Sequence, residues 1–407
     1  MLPVPDRSGS RFSASSPLVW GLSVATTVSW GILFYAFALF VTPMEGDLGW
    51  TRTEINAALS VGLLAAGLAA VPIGQWIDRR GGRGLMSAAA LLGAAMLVAW
   101  SLVDQLWLFM VIWIGIGLAQ AGTLYEPVFA IVTANVKDYR RAITFITFLG
   151  GLASTIFIPL TNWLIGAYGW RTALLVLAVI QFAFAFCIYA AVLKNTRGSL
   201  QETPEPSSAD GDGFALSAVL RKSAFIGLFL CFVGYGFMWS AITFHVIPLL
   251  TERALGLDAI VAAIAMIGPS QVAGRFLLFF FGTNASARDI GRVVVLLPIL
   301  AVAILIFVAP LGFLGLALFA IVYGLGNGMI TIVRGAGVAE ILGISGYGAI
   351  SGAITFGNTI AKAAGPLVTA ILWTTLGSYD QIQWLWLALM IASAVAFWFA
   401  AAHAERT

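Results

Sequence analysis

Twelve stretches of roughly 20 apolar residues, each the length needed to cross a bilayer as a helix, run through the chain. The first six cover 17–41, 54–77, 85–103, 106–133, 142–166 and 171–193. The second six cover 223–250, 258–282, 291–309, 313–339, 349–373 and 383–402. Nothing alternates with a period of two over about ten residues, which argues against a membrane β-barrel. One long polar segment interrupts the series, from Lys194–Asn195–Thr196–Arg197 through Gln201–Glu202–Thr203–Pro204–Glu205–Pro206 to Asp210–Gly211–Asp212. Its composition is that of a flexible linker. The pattern predicts an all-α polytopic membrane protein with 12 transmembrane helices in two pseudo-symmetric six-helix bundles. The expected divisions are an N-terminal segment 1–16, a bundle 17–193, a linker 194–222, a second bundle 223–402 and a tail 403–407.

Composition agrees with the pattern. Of 407 residues, 60% are hydrophobic and 10% charged, too few charges to clothe a soluble surface and too much apolar surface for a disordered chain. The net charge of +3 points to no nucleic-acid partner. Cys187 and Cys231 both lie in apolar runs, so neither a disulfide framework nor a metal-ligand pattern is expected. No cofactor motif is present: Gly115–Ile116–Gly117 with Gly122 lacks the strand and acidic residue of a dinucleotide site. No small-residue cleavage site follows a short apolar core at the N-terminus, so no removable signal peptide is expected. The connections on the side of Arg7 and Arg11 hold fifteen Lys and Arg; the opposite connections hold Arg52, Arg171 and Arg253. This asymmetry predicts cytoplasmic termini and a cytoplasmic linker, hence a multi-pass inner-membrane protein whose main partner is lipid. A monomer is expected.

The halves read as diverged copies. Gly150 precedes Pro159 by nine residues, and Gly357 precedes Pro366 by nine. Gly115–Ile116–Gly117 is matched by Gly324–Leu325–Gly326. Repeated halves that rock against each other are a carrier architecture.

After the second helix the chain reads Gly74–Gln75–Trp76–Ile77–Asp78–Arg79–Arg80–Gly81–Gly82–Arg83. This resembles the G-x-x-x-D-R-x-G-x-R signature of the major facilitator superfamily. The resemblance implies a cytoplasmic latch in which Asp78 pairs with Arg79, Arg80 and Arg83; otherwise these arginines only set topology. The matching loop, from Gly282–Thr283–Asn284 to Arg288–Asp289–Ile290–Gly291–Arg292, is a degraded copy. The fifth helix, Gly150–Gly151–Leu152–Ala153–Ser154, lacks the pattern of drug–proton antiporters, and Leu108, Phe109 and Met110 stand where proton-linked members often carry an arginine. Arg275 in the eighth helix and Lys362 in the eleventh resemble the basic pair of the oxalate–formate exchangers. Leu48–Gly49–Trp50–Thr51–Arg52–Thr53–Glu54–Ile55 resembles bacterial members of the monocarboxylate-transporter branch. Unlike that branch, the chain has no acid close before Arg275, where Gln271 stands, and no lysine in the first helix. The resemblance implies an organic-anion carrier and leaves the proton site open.

A charge at the bilayer centre costs at least about 2.5–3.5 kcal/mol, so those retained there need a reason. Arg275 offers a planar fork for a carboxylate and Lys362 a point charge; the pair is expected to bind the substrate anion, with a structural ion pair or a helix-end carbonyl contact as the alternative. Glu126 falls within one position of the counterpart of Arg334 in the repeat. It is either a proton-titrating carboxylate or one half of a static gate. His245 is either a proton or substrate group or a hydrogen-bonded interfacial histidine. Tyr35, Tyr125, Gln271, Asn327 and Asn358 complete the expected binding set, with core packing as the alternative for the aromatics and another helix as the alternative partner for the two asparagines; Trp239 in the seventh helix and Tyr323 in the tenth are further aromatics of the same kind.

The function these features suggest is secondary active transport of a small mono- or dicarboxylate by alternating access, coupled to a proton or a counter-anion. The alternative is efflux of a toxic anion, metalloid or drug. No Walker A lysine motif, paired His, Cys-x-x-Cys or Ser–His–Asp set supports an enzyme.

Overall fold

The computed structural model describes residues 13, 15–200, 216–253, 256–282 and 285–404, without the side chains of 52, 53, 257, 258 and 261. Arg7, Arg11, Arg406, Thr283, Asn284 and the linker from Gln201 through Asp212 lie outside the described residues.

Among the described residues, twelve helices are long and apolar enough to cross a membrane. They are α1 (Pro17–Leu48), α2 (Glu54–Arg80), α3 (Arg83–Ser101), α4 (Leu106–Asn135), α5 (Tyr139–Tyr168) and α6 (Trp170–Asn195), followed by α7 (Ser223–Glu252), α8 (Ala262–Phe281), α9 (Ala287–Phe307), α10 (Phe313–Leu342), α11 (Tyr347–Leu376) and α12 (Asp380–Ala402). Among the described residues there is no strand. Several helices run past their apolar stretches, because polar caps rather than hydropathy set their ends. Gly49, at φ 68°, closes α1. Thr51 and Glu54 then form a reciprocal capping box that starts the next helix. Most of the Leu48–Ile55 motif is thereby explained as a helix-to-helix turn.

Two compact units form. The first contains α1–α6 together with Ile344–Ala353. Within it α2 and α3 pack on α4, α3 on α6, and α1 on α5 and α6. Its aromatic core joins Phe37, Phe40, Trp100, Phe109 and Trp113, with Phe37 and Trp113 4.7 Å apart, edge to face. The second contains α7–α10, the rest of α11, and α12. Within it α8 and α9 pack on α10, and α12 on α7 and α9. The packing order repeats between the units, as the glycine and proline spacings suggested. Ile344–Ala353 clusters with the first unit, although it lies within the stretch 223–402 read as the second bundle.

Backbone-to-backbone approach explains much of the glycine usage. A Cβ on Gly117 would lie 2.0 Å from the Gly62 carbonyl oxygen, so α4 touches α2 without side chains between them. Gly117→Val is expected to destabilise the protein by at least about 1–3 kcal/mol through overpacking, read as a lower melting temperature in detergent.

Candidate functional site

Asp78 lies at the end of α2 and is only 2% exposed. Its Oδ1 accepts from the Ser199 hydroxyl at 2.8 Å and from the Gly348 N–H at 3.0 Å. Its Oδ2 accepts from the Ala349 N–H at 2.8 Å. Gly348 and Ala349 open α11, whose first-turn N–H groups have no helical acceptor and carry the positive end of the helix dipole. The arginine pairing expected for Asp78 is therefore corrected: the carboxylate caps a helix. Arg83 donates instead to the Ala190 carbonyl at 3.2 Å, and Arg80 lies 4.4 Å above Trp76. Arg79 lines a small cleft with Gln75, Asp78 and Ala349. The start of the linker joins this cap. Ser199 also accepts from the Gly346 N–H, Leu200 N–H donates to the Asp78 carbonyl, and Asn135 clasps Arg197 through both its N–H and its carbonyl. Sequence reasoning missed Ser199, which looked like ordinary linker composition.

In the second unit Arg275 is 8% exposed and its Nε has no partner. Among the described residues no carboxylate forms an ion pair with it. Close contacts between α8 and α10, where a Cβ on Gly274 would meet Leu325 and one on Gly328 would meet the Gln271 backbone, enclose the region. Gln271 itself is half-buried. Arg275 acts electrostatically on Tyr235, whose hydroxyl donates to Asn327 Oδ1 at 2.7 Å. Tyr235 was not foreseen, since an aromatic among glycines on a membrane helix reads as packing.

Lys362 is exposed, and its Nζ stands 5.2 Å from the centroid of the Trp239 ring, a cation–π contact. The Trp239 carbonyl accepts from the Tyr323 hydroxyl at 3.0 Å. Asn358 is 5% exposed and gives its amide N–H to the Phe232 carbonyl, so that donor braces α11 on α7. His245 sits between α11 and the turn that follows it. Its Nε2 faces the Pro366 carbonyl at 3.0 Å and its Nδ1 faces the Tyr379 hydroxyl at 2.8 Å. A carbonyl only accepts, so Nε2 carries a proton and Tyr379 donates to Nδ1 in the neutral ring. Burial, with Glu252 adding to it, raises the Tyr379 phenol above its ordinary range and keeps it a donor.

In the first unit Tyr125 packs on Trp30 at 5.0 Å and stacks on Phe129 at 5.3 Å, while Tyr35 lies 6.1 Å from Trp30. Glu126 follows the helix break at Leu124, in the first turn of Tyr125–Asn135, where the dipole favours a carboxylate. Pro127 leaves the Thr123 carbonyl without its helical donor, and the Tyr189 hydroxyl supplies one at 2.8 Å. Glu126 and Arg334 are both half-buried, and neither is without a partner.

Two repeated six-helix units are a membrane-carrier architecture, and among the described residues Arg275 has no acid partner. The Major Facilitator Superfamily model matches residues 18–366, and the chain belongs to that family. It is 24% identical over 364 residues to monocarboxylate transporter 13 of Bos taurus, covering 86% of this chain and 79% of that one. It is 26% identical over 144 residues to a probable L-galactonate transporter of Escherichia coli strain K12, covering 35% and 32%. The fold is similar to FucP, a major facilitator transporter in the outward conformation, with TM-score 0.72 at 14% identity over 97% of this chain and 100% of FucP. It is also similar to the human organic anion transporter MFSD10, with TM-score 0.64 at 15% identity over 93% and 98%.

Proposed function

We propose that the protein carries a small mono- or dicarboxylate across the inner membrane by alternating access, with symport of a proton or exchange for a counter-anion, both termini being cytoplasmic. The observation that carries this reading is Arg275. A buried cation is retained only where something compensates it, and among the described residues Arg275 has no acid partner. A transported carboxylate supplies the missing charge and takes the guanidinium fork bidentately. Lys362 adds the second positive charge, and Gln271, Asn327 and Asn358 add polar contacts in the same unit. Tyr35 and Tyr125 complete the proposed binding set. The anion screens Arg275 from Lys362, so a loaded carrier reorients more readily than an empty one. Glu126, Arg334 and His245 take the proton-coupling or gating roles. Asp78, with its helix cap, is the latch, and Arg79 and Arg83 border it. The resemblance to a monocarboxylate transporter supports this substrate class.

The test is thermal stability of the purified protein with acetate, lactate, pyruvate, malonate and succinate at two pH values, for the wild type and Arg275→Met. Ligand binding to the folded state alone raises stability by mass action. A carboxylate is expected to raise the wild-type melting temperature and to leave Arg275→Met unmoved. Without ligand, Arg275→Met is expected to be more stable by roughly 1–4 kcal/mol, because an uncompensated charge is removed. A less stable Arg275→Met would overturn the reading and make Arg275 a structural partner. No response to any carboxylate, or a stronger response to a neutral or cationic solute, would do the same for the substrate class.

A further inference from the structure

Pro366 has no N–H, so the carbonyl four residues earlier in α11 loses its helical donor. That carbonyl belongs to Lys362. The Ser240 hydroxyl of α7 donates to it at 2.6 Å, and Ser240 is 3% exposed. The preceding residue of α7 is Trp239, whose indole lies under the Lys362 ammonium. Two consecutive residues of one helix therefore hold Lys362 at both ends, one at its backbone and one at its charge. The neighbouring contacts fix the same register. A Cβ on Gly365 would lie 2.5 Å from the Phe237 carbonyl oxygen, so the two backbones touch beside the proline. Farther along α11, His245 engages the Pro366 carbonyl at 3.0 Å. The Tyr323 hydroxyl anchors the Trp239 carbonyl from α10.

We propose that Ser240 is a positioning residue for Lys362: by occupying the carbonyl that Pro366 leaves open, it sets where α11 presents the ammonium to the anion. The proposal rests on the reading of Lys362 as an anion-binding group. The hydroxyl acts through Lys362 and does not touch the substrate. Without it, the carbonyl left open by Pro366 loses its tie to α7 and the ammonium is held over a wider range of positions, which weakens a site that depends on fixed charge geometry.

Thr and Val differ at this position only by the hydroxyl, so Ser240→Thr and Ser240→Val separate the hydrogen bond from packing, and Ser240→Ala adds a variant without extra bulk. The probe is the most stabilising carboxylate of the panel above, with its dissociation constant measured by ligand-dependent melting and its KM and Vmax by uptake into proteoliposomes. Ser240→Val and Ser240→Ala are expected to raise Kd and KM about fivefold, the equivalent of losing one ordinary hydrogen bond. Vmax changes little, and Ser240→Thr restores wild-type affinity. In a Lys362→Ala background the Ser240 substitutions are expected to weaken binding no further. Unchanged affinity in Ser240→Val, or the same fivefold loss with and without Lys362, overturns the proposal. If Lys362→Ala itself binds the carboxylate as the wild type does, the anion-site reading fails first. If Lys362→Ala weakens binding while Ser240→Ala does not, only the positioning role is lost.

Discussion

Lys362→Ala is expected to abolish uptake of a dicarboxylate and to weaken uptake of a monocarboxylate less. A charge-assisted hydrogen bond contributes roughly 1.5–3 kcal/mol. A dianion that engages both Arg275 and Lys362 therefore loses about 100-fold in affinity, and the loss grows if the orphaned second carboxylate is left desolvated. A monoanion seated on the Arg275 fork retains its main contact and loses about tenfold or less. The geometry supports separate roles. Arg275 is buried with an unpartnered Nε, whereas Lys362 is exposed and rests on an indole face. Initial rates of succinate and lactate uptake into proteoliposomes, wild type against variant, provide the measurement. Equal, near-wild-type rates for both anions would remove Lys362 from the site.

Asp78→Ala is expected to cut turnover by about 10–100-fold while leaving carboxylate affinity close to wild type. The carboxylate accepts from one hydroxyl and two backbone N–H groups at the start of α11. Removing it strands buried donors at about 1–3 kcal/mol each, which favours the arrangement in which the start of α11 leaves α2. On the alternating-access reading proposed above the protein passes through both arrangements, so a shift of this size empties one of them. Asp78→Asn is expected to fall between wild type and alanine, because its amide retains one acceptor and points a donor at donors. Ser199→Ala should lose the least, since both backbone contacts remain. The readout is Vmax against KM in proteoliposomes, together with thiol labelling of a cysteine introduced at Gln75. Faster labelling with lower Vmax is the expected result; unchanged labelling and turnover would reduce Asp78 to a helix cap without a role in transport.

The buried Asp78 shows how far a motif carries. The spacing from Gly74 to Arg83 singled out Asp78, which the structure buries in a hydrogen-bonded helix cap. It suggested arginine partners because they are near in sequence. The partners come instead from residues 199, 348 and 349, and nothing in a linear reading ties a carboxylate to a helix start 270 positions away. The same holds for Asn358, a polar group that a linear reading leaves open to substrate or another helix, and whose amide donates to the Phe232 carbonyl. Ser240 and Tyr189 could have been anticipated in kind: each proline inside a membrane helix leaves a carbonyl four residues back in want of a donor, and in lipid that want is strong. Which hydroxyl answers depends on the neighbouring helix.

What the chain determined by itself was the number and order of its membrane crossings, the doubling of a six-helix plan, and the identity of the charges retained within the lipid phase. Hydropathy and the cost of burying charge act locally, so these are written residue by residue. The tertiary structure decided the partners. A hydrogen bond is settled by distances of a few tenths of an ångström between segments far apart in sequence, and only folding revealed that Asp78 is satisfied, that Lys362 is gripped at both ends, and that Arg275 is buried with its Nε unpartnered.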